Sequence, residues 1–318
     1  MNAAIRAIVR RARHLNIEII AFQDGLEGLI VGECYHLYSD DVSGGTADLG
    51  GTFIGTSRCP AFRNPESRKI AFQNLQDSNI DALIAIGGNG TYAASKLFHE
   101  EFNVPMVVIP ATIDNNMEGT DYALGYDTCL NSILEHVRKL KSTAESHRRI
   151  YIVEVMGDTS SSLAESGALI STAEGIFLQD DESSLKNVEK YIKECHLQKT
   201  RRSAMIFVPE GYTKNVRSLS LLSEDIKKML CESSQHKVEV RTQCIGAIQR
   251  GGNPTAKDLE MASLFGYFSL DALLQGVSGL IASDGNELFA QPFFDGESFC
   301  LTRSLITERV RVFNGLCY

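Results

Sequence analysis

Several common protein classes are excluded by what this sequence lacks. Positive charge is in deficit: 31 Lys and Arg stand against 40 Asp and Glu, a formal net charge of -9. Bulk charge therefore gives no hold on nucleic acid or on an anionic membrane, and an anionic ligand must be met by a local cluster of Arg and backbone N–H groups. No apolar run approaches the roughly 18–20 residues needed to cross a bilayer. The N-terminus, MNAAIRAIVRRARHLNIEII, carries arginines but no separate apolar core with a cleavage site, so it does not read as a secretory signal. Cys34, Cys59, Cys129, Cys195, Cys231, Cys244, Cys300 and Cys317 are scattered without a CxxC pair, several inside apolar patterns. That spacing argues against a disulfide framework and against structural zinc. The seven histidines form no HxxxH or HExxH. The expectation is a reduced, cytoplasmic protein with no membrane and no nucleic-acid partner.

What is present is ordinary globular composition, 43% hydrophobic and 22% charged. At about 150 residues per domain, 318 residues suggest two lobes. Short Val- and Ile-rich runs at 17–22, 82–88, 105–110, 150–157 and 204–211 alternate with helix-like stretches at 90–101, 121–143, 183–196, 217–232 and 256–274. Continuous apolar strands between helices predict an α/β fold with parallel sheets, and the coarse recurrence predicts two related lobes.

Ligands of such sheets bind beyond the carboxyl ends of the strands. Those positions read GGNGT (87–91), PATIDNN (110–116), EVMGD (154–158) and PEGY (209–212). In GGNGT, glycines allow close backbone approach and the first helical N–H groups suit a phosphate, although a tight strand-to-helix turn explains the residues equally. The motif is neither GxGxxG nor GxxxxGK[ST]. In TIDNN, Asp114 can accept a proton or hold a metal, or merely make an Asx turn. Arg241, and Arg250 in the Gly-rich turn of RTQCIGAIQRGGNP (241–254), together with Arg149 at the start of another strand, are candidate phosphate binders.

Taken in order, MNAAIR (1–6), GGTFIGTSR (50–58), IDALIAIGGNGTY (80–92), PATIDNNMEGTDYALGYDT (110–128), VEVMG (153–157), VPEG (208–211) and IGAIQRGGNP (245–254) resemble the bacterial-type ATP-dependent 6-phosphofructokinases over most of the chain. The resemblance implies two Rossmann-like lobes with mostly parallel sheets, an ATP-binding lobe at 1–125 and 249–296 and a sugar-phosphate lobe at 126–248 and 297–318. It implies a cleft active site and a tetramer whose neighbours complete it, with fructose 6-phosphate, ATP and Mg²⁺ as substrates and cofactor. By position, Asp114 is the base and Thr112 lies near the transferred phosphoryl. Gly88, Asn89, Gly90 and Thr91 cradle the nucleotide phosphates and metal, with Arg58 nearby. Met156, Gly157 and Glu210 hold the sugar and Arg250 its 6-phosphate, while Arg149 and Arg241 reach that phosphate from a neighbouring subunit. Small residues at Gly90 and Ala111, where pyrophosphate-dependent relatives carry bulkier charged ones, favour ATP.

Departures accompany the match. The resemblance starts after the family's first strand and its GGDxPG-like loop, so the ATP-binding lobe is expected without them. Asn89 stands for a metal-associated Asp, Asn116 for a second carboxylate, Asp158 for an arginine and Ala247 for a sugar-binding His. Arg6, Arg10, Lys199 and Arg201 match basic positions of the effector site, but SDDVSGGTAD (39–48) is acidic where another arginine is expected. Two readings follow: a phosphofructokinase, or a weak or inactive paralogue that binds sugar phosphate as a regulatory or structural subunit, alone or in a hetero-oligomer.

Overall fold

The computed structural model describes residues 1–178, 184–191, 203–233, 239–285, 287–294 and 299–301. The chain divides into two compact units, Met1–Tyr126 with Asn253–Tyr318, and Asp127–Gly252.

The first unit is built on a five-stranded sheet of order β11-β10-β9-β4-β3, from β3 (Leu83–Gly87), β4 (Met106–Pro110), β9 (Gly279–Ser283), β10 (Leu288–Pro292) and β11 (Phe299–Leu301). β3, β4 and β9 are parallel, β10 runs antiparallel to β9, and β11 pairs antiparallel with β10. The strand at 299–301, expected in the second lobe, is thus hydrogen-bonded within the first unit's sheet; 302–318 lie outside the described residues. β4 reads MVVIP and is buried at every position, as a strand covered on both faces requires. On one side, α1 (Asn2–His14) packs against α10 (Ala256–Leu274) and the sheet through Ala3, Ala4, Ile8, Phe265 and Phe268. The helices approach closely because α1 presents alanines and α10 presents Gly266, where a β-carbon would meet the Ala4 carbonyl oxygen. On the other side, α2 (Leu26–Val31), α3 (Pro65–Asp77) and α4 (Asn89–Phe102) share a cluster including Leu29, Leu75, Phe98 and Val108.

The run at 17–22 is a strand, but not in the parallel sheet. β1 (Ile19–Phe22) pairs antiparallel with β2 (Cys34–Leu37) as a separate two-stranded ribbon. Among the described residues β3 is an edge strand. A cavity of about 1650 Å³ is lined by residues of both β1 and β3, among them Ile19, Ala21, Ile84 and Ile86.

The second unit holds a fully parallel sheet of order β6-β7-β5-β8, from β5 (Arg149–Val155), β6 (Gly175–Ile176), β7 (Ala204–Pro209) and β8 (Glu239–Cys244). β7 is buried throughout and β5 nearly so. One face is closed by α7 (Ser184–Tyr191) and α9 (Leu219–Ser233), packing Val188, Leu222, Ile226 and Leu230 against Ile150, Ile152, Ile206 and Val208. α5 (Tyr126–His147) and α6 (Ser162–Ile170) complete the helices, with the short α8 (Glu210–Asn215) directly after β7. α5 starts five residues later than the helical spacing predicts. Gly125 adopts a left-handed φ of 98° and its N–H goes to the Asp258 carboxylate, so residues 120–125 form a tethered turn.

Candidate active site

In the first unit the expected nucleotide and base residues sit on the loops leaving two adjacent parallel strands. β3 ends at Gly87, and Gly88 caps the N-terminus of α4. The first helical bond runs from the Tyr92 N–H to the Gly88 carbonyl, which leaves the N–H groups of Asn89, Gly90 and Thr91 at the positive end of the helix. A β-carbon at Gly88 would lie 3.3 Å from Thr112 Cβ, so glycine lets the loop after β4 close on the loop after β3. The Ala111 N–H donates to the Gly87 carbonyl at 2.9 Å and ties the same two loops. The Asp114 N–H donates to Thr112 Oγ1 at 3.3 Å, so base and candidate phosphoryl-side hydroxyl share one turn. Asn115, at φ 44°, accepts the Ala123 N–H and donates to the Asp121 carbonyl, bracing that turn from behind.

Asn89 Nδ2 donates to Asn116 Oδ1 at 3.0 Å and to the Asn116 carbonyl at 3.3 Å. The two residues that depart from the family's carboxylates are therefore each other's partners, and a neutral amide pair replaces what would be a repelling acidic pair. Among the described residues no group of three His, Cys, Asp or Glu side chains forms a metal cage. Exposed Arg58 lines the same cavity as Gly90 and Thr91. A β-carbon at Gly90 would meet nothing within 4 Å, so space lies beside the candidate phosphate loop.

The second unit gathers a separate set at the carboxyl ends of β5, β7 and β8. The Gly211 N–H donates to the Gly157 carbonyl at 2.9 Å, docking the start of α8 on the loop after β5. Buried Gln249 accepts the Met156 N–H, and Arg250 Nε approaches Met156 Sδ at 3.2 Å. Met156, Gly157, Glu210 and Arg250 are thereby brought together. Thr213 Oγ1 donates to Glu154, and Lys214 Nζ lies 2.8 Å from Glu210 and 3.2 Å from Asp158. These pairings hold the Lys214 ammonium above its ordinary range, Glu210 first and Asp158 second. The Cys244 thiol is pushed up to about 11 by desolvation and then by the carboxylates of Glu154 and Glu210.

Arg149 and Arg241 do not join that set. Both bind Glu239, Arg149 Nε at 2.5 Å; Arg149 opens β5 at the sheet's opposite end, and Arg241 stands mid-strand in β8 beside Tyr151. β5 carries Arg149 at its first position and Val155 at its last, a separation of about 20 Å at strand rise. Glu239, which lowers its own carboxyl range by accepting from Arg149, was not signalled by the sequence motifs. Nor were Lys214 and Asp258, whereas Gln249 lies within the IGAIQRGGNP motif without a role of its own there. Asp258 left a local trace, the capping pattern Thr255-x-x-Asp258.

Of the candidate effector residues, Arg6 and Arg10 lie one turn apart on α1, both half-buried. Burial, then the like charge of Arg10, lowers the Arg6 guanidinium, while Asp48 from the acidic segment opposes the shift. Lys199 and Arg201 lie outside the described residues.

The phosphofructokinase family profile matches residues 1–273. The chain belongs to the phosphofructokinase family. It is 37% identical to ATP-dependent 6-phosphofructokinase 2 of Bacteroides thetaiotaomicron over 294 residues, 92% of this chain and 87% of that one. Against the ATP-dependent 6-phosphofructokinase of Actinobacillus pleuropneumoniae the identity is 40%, over 90% of this chain and 85% of that one. The fold matches phosphofructokinase from Saccharomyces cerevisiae with a TM-score of 0.83 at 29% identity; 99% of this chain is covered but only 44% of the yeast chain.

Proposed function

We propose that the chain is an ATP-dependent 6-phosphofructokinase, transferring the γ-phosphoryl of ATP to the 1-hydroxyl of fructose 6-phosphate in glycolysis. The carrying observation is the joined pair of loops in the first unit, where Gly88 packs on Thr112 and Thr112 Oγ1 accepts the Asp114 N–H. A phosphate cradle and a carboxylate on adjacent strand ends are what an in-line transfer to an alcohol requires.

In this reading Asp114 takes the proton from the sugar's 1-hydroxyl, the resulting oxygen attacks the γ-phosphorus, and ADP leaves. The helix N-terminus at Asn89–Thr91 and Arg58 hold the nucleotide phosphates. Mg²⁺ suits a site of this kind, since it is commonly held by one or two carboxylates, waters and the substrate's own phosphates. The Asn89 amide oxygen would be the one, weak, protein ligand, with the nucleotide's phosphates and water supplying the rest and Asp114 kept for the proton. When bound, the ion neutralises charge on the transferring phosphoryl. Glu210, Met156 and Gly157 hold the sugar and Arg250 its 6-phosphate. Arg149 and Arg241, drawn to Glu239 and apart from Arg250, fit the resemblance's implied role across a homotetramer interface. The open space beside Gly90 supports ATP over pyrophosphate as donor. A cytoplasmic setting accords with a glycolytic reaction; among the described residues no helix is long and apolar enough to cross a membrane.

The test is ADP release from Mg-ATP and fructose 6-phosphate by the full chain beside Asp114→Asn. The substitution is expected to lower turnover by at least about 10²-fold, the usual scale for a general base. Equal turnover by both proteins removes Asp114 from the chemistry.

A further inference from the structure

The second unit presents a problem of charge. Glu154, Asp158 and Glu210 gather at the ends of β5 and β7, and the raised Cys244 thiol registers the field of two of them. A sugar phosphate brings further negative charge to the same place. Arg250 is the expected phosphate ligand, and its Nε meets the Met156 thioether, a weak acceptor that leaves its charge available. Asp158, however, has the opposite sign to the arginine expected after Met156-Gly157, so the loop adds repulsion where attraction is needed.

Lys214 meets both demands. It stands one turn after Glu210 on α8, in the order Glu then Lys that a helix favours. From there its ammonium reaches across to Asp158, which belongs to a different loop. The same loop is docked on α8 by the Gly211–Gly157 hydrogen bond, so the geometry rests on backbone as well as on side chains. Thr213, the preceding residue, donates to Glu154 and to the Glu210 carbonyl, which fixes the turn that carries the lysine.

We infer that Lys214 is a positioning residue for the sugar site: it holds the Glu210 carboxylate in place and offsets the charge of Asp158, so that an anionic sugar meets a rim close to neutral. This rests on the assignment of Glu210 to the sugar. Lys214 itself takes no proton and touches no transferring atom.

The consequences are specific. With the full chain and fructose 6-phosphate as varied substrate, Lys214→Met should raise KM about 3- to 10-fold while kcat stays within about twofold, the signature of lost ground-state binding. Lys214→Arg should restore most of the affinity, because the charge and reach are kept. In Lys214→Met/Asp158→Asn the KM should fall back toward the parent value, since the repulsion has been removed along with its counter-charge. Thermal midpoints of the variants should match the parent, the lysine being half exposed. A parent enzyme that turns over fructose 6-phosphate, with KM unchanged in Lys214→Met, overturns the inference alone. A loss equal in Lys214→Met and Lys214→Arg, or one unrelieved by Asp158→Asn, does the same. A parent chain with no turnover of fructose 6-phosphate overturns the assigned reaction and this role with it.

Discussion

Replacing Asp258 separates the geometry of a hydrogen-bond acceptor from its charge. The residue is 4% exposed, at the third helical position of α10, and its Oδ1 accepts both the Tyr122 hydroxyl and the Gly125 N–H at 2.8 Å. Its own N–H donates to Thr255 Oγ1 at 3.3 Å. Those two accepted bonds tether residues 120–125, which follow the Asp114 loop and delay α5. Hydrogen bonds to an ionised group are each worth about 1.5–3 kcal/mol, and a carboxylate in the first turn of a helix adds about 0.3–1 kcal/mol. Asp258→Ala loses all of this and deprives a buried-side N–H of its acceptor. Allowing for water reaching the half-buried tyrosine, the cost should be about 3–5 kcal/mol. Asp258→Asn keeps an oxygen where Oδ1 stands and loses only the charge, so about 1–2 kcal/mol is expected. For a unit of this size each kcal/mol lowers the melting midpoint by roughly 2–4 °C. Thermal unfolding of the full chain followed by far-ultraviolet circular dichroism reads the difference. The reasoning is refuted if Asp258→Ala lies within about 1 kcal/mol of the parent, or if Asn is as damaging as Ala.

Two other expectations concern the first unit's packing and charge. Gly266→Ala gains about 1 kcal/mol of helix propensity in isolation, yet its methyl would meet the Ala4 carbonyl and lie 3.0 Å from Ala7 Cβ, so a net loss of about 1–3 kcal/mol is expected in denaturant unfolding. A stabilised variant would show that α1 and α10 are not in close contact. The Arg68 hydrogen bond holds the Glu101 carboxyl below its ordinary range, so the pair's contribution is complete above about pH 5 and fades as pH falls through the lowered value. Glu101→Gln should flatten this acid limb of a stability–pH profile, and an unaltered limb would remove the pair from the acid response.

The strand-and-helix alternation was readable because each buried strand must be apolar on both faces and each helix must return over the sheet. β4, β5 and β7 are therefore visible as unbroken runs, and α10 spans the predicted 256–274. β1 has the same apolar character, yet it pairs with a ribbon partner, β2, whose sequence CYHL carries no such run. Pairing partners are a property of the assembled sheet. The same holds for β10, which pairs antiparallel with β9, and for β11, which pairs antiparallel with β10 at the edge of the described sheet.

The site divides along a similar line. Motif residues cluster at strand ends, and a parallel sheet sends all its carboxyl ends to one side, so GGNGT with TIDNN, and VMG with PEG, are near neighbours by topology alone. By itself the sequence therefore determined the family, the alternating architecture and the residues that leave each strand. Tertiary structure alone decided that Asn89 pairs with Asn116, that Arg149 and Arg241 share Glu239 away from Arg250, that Asp258 tethers the turn behind Asp114, and that Lys214 spans two carboxylates. Charged and amide side chains carry no periodic signal of their partners; which of them meet depends on distances that exist only once the strands are in register.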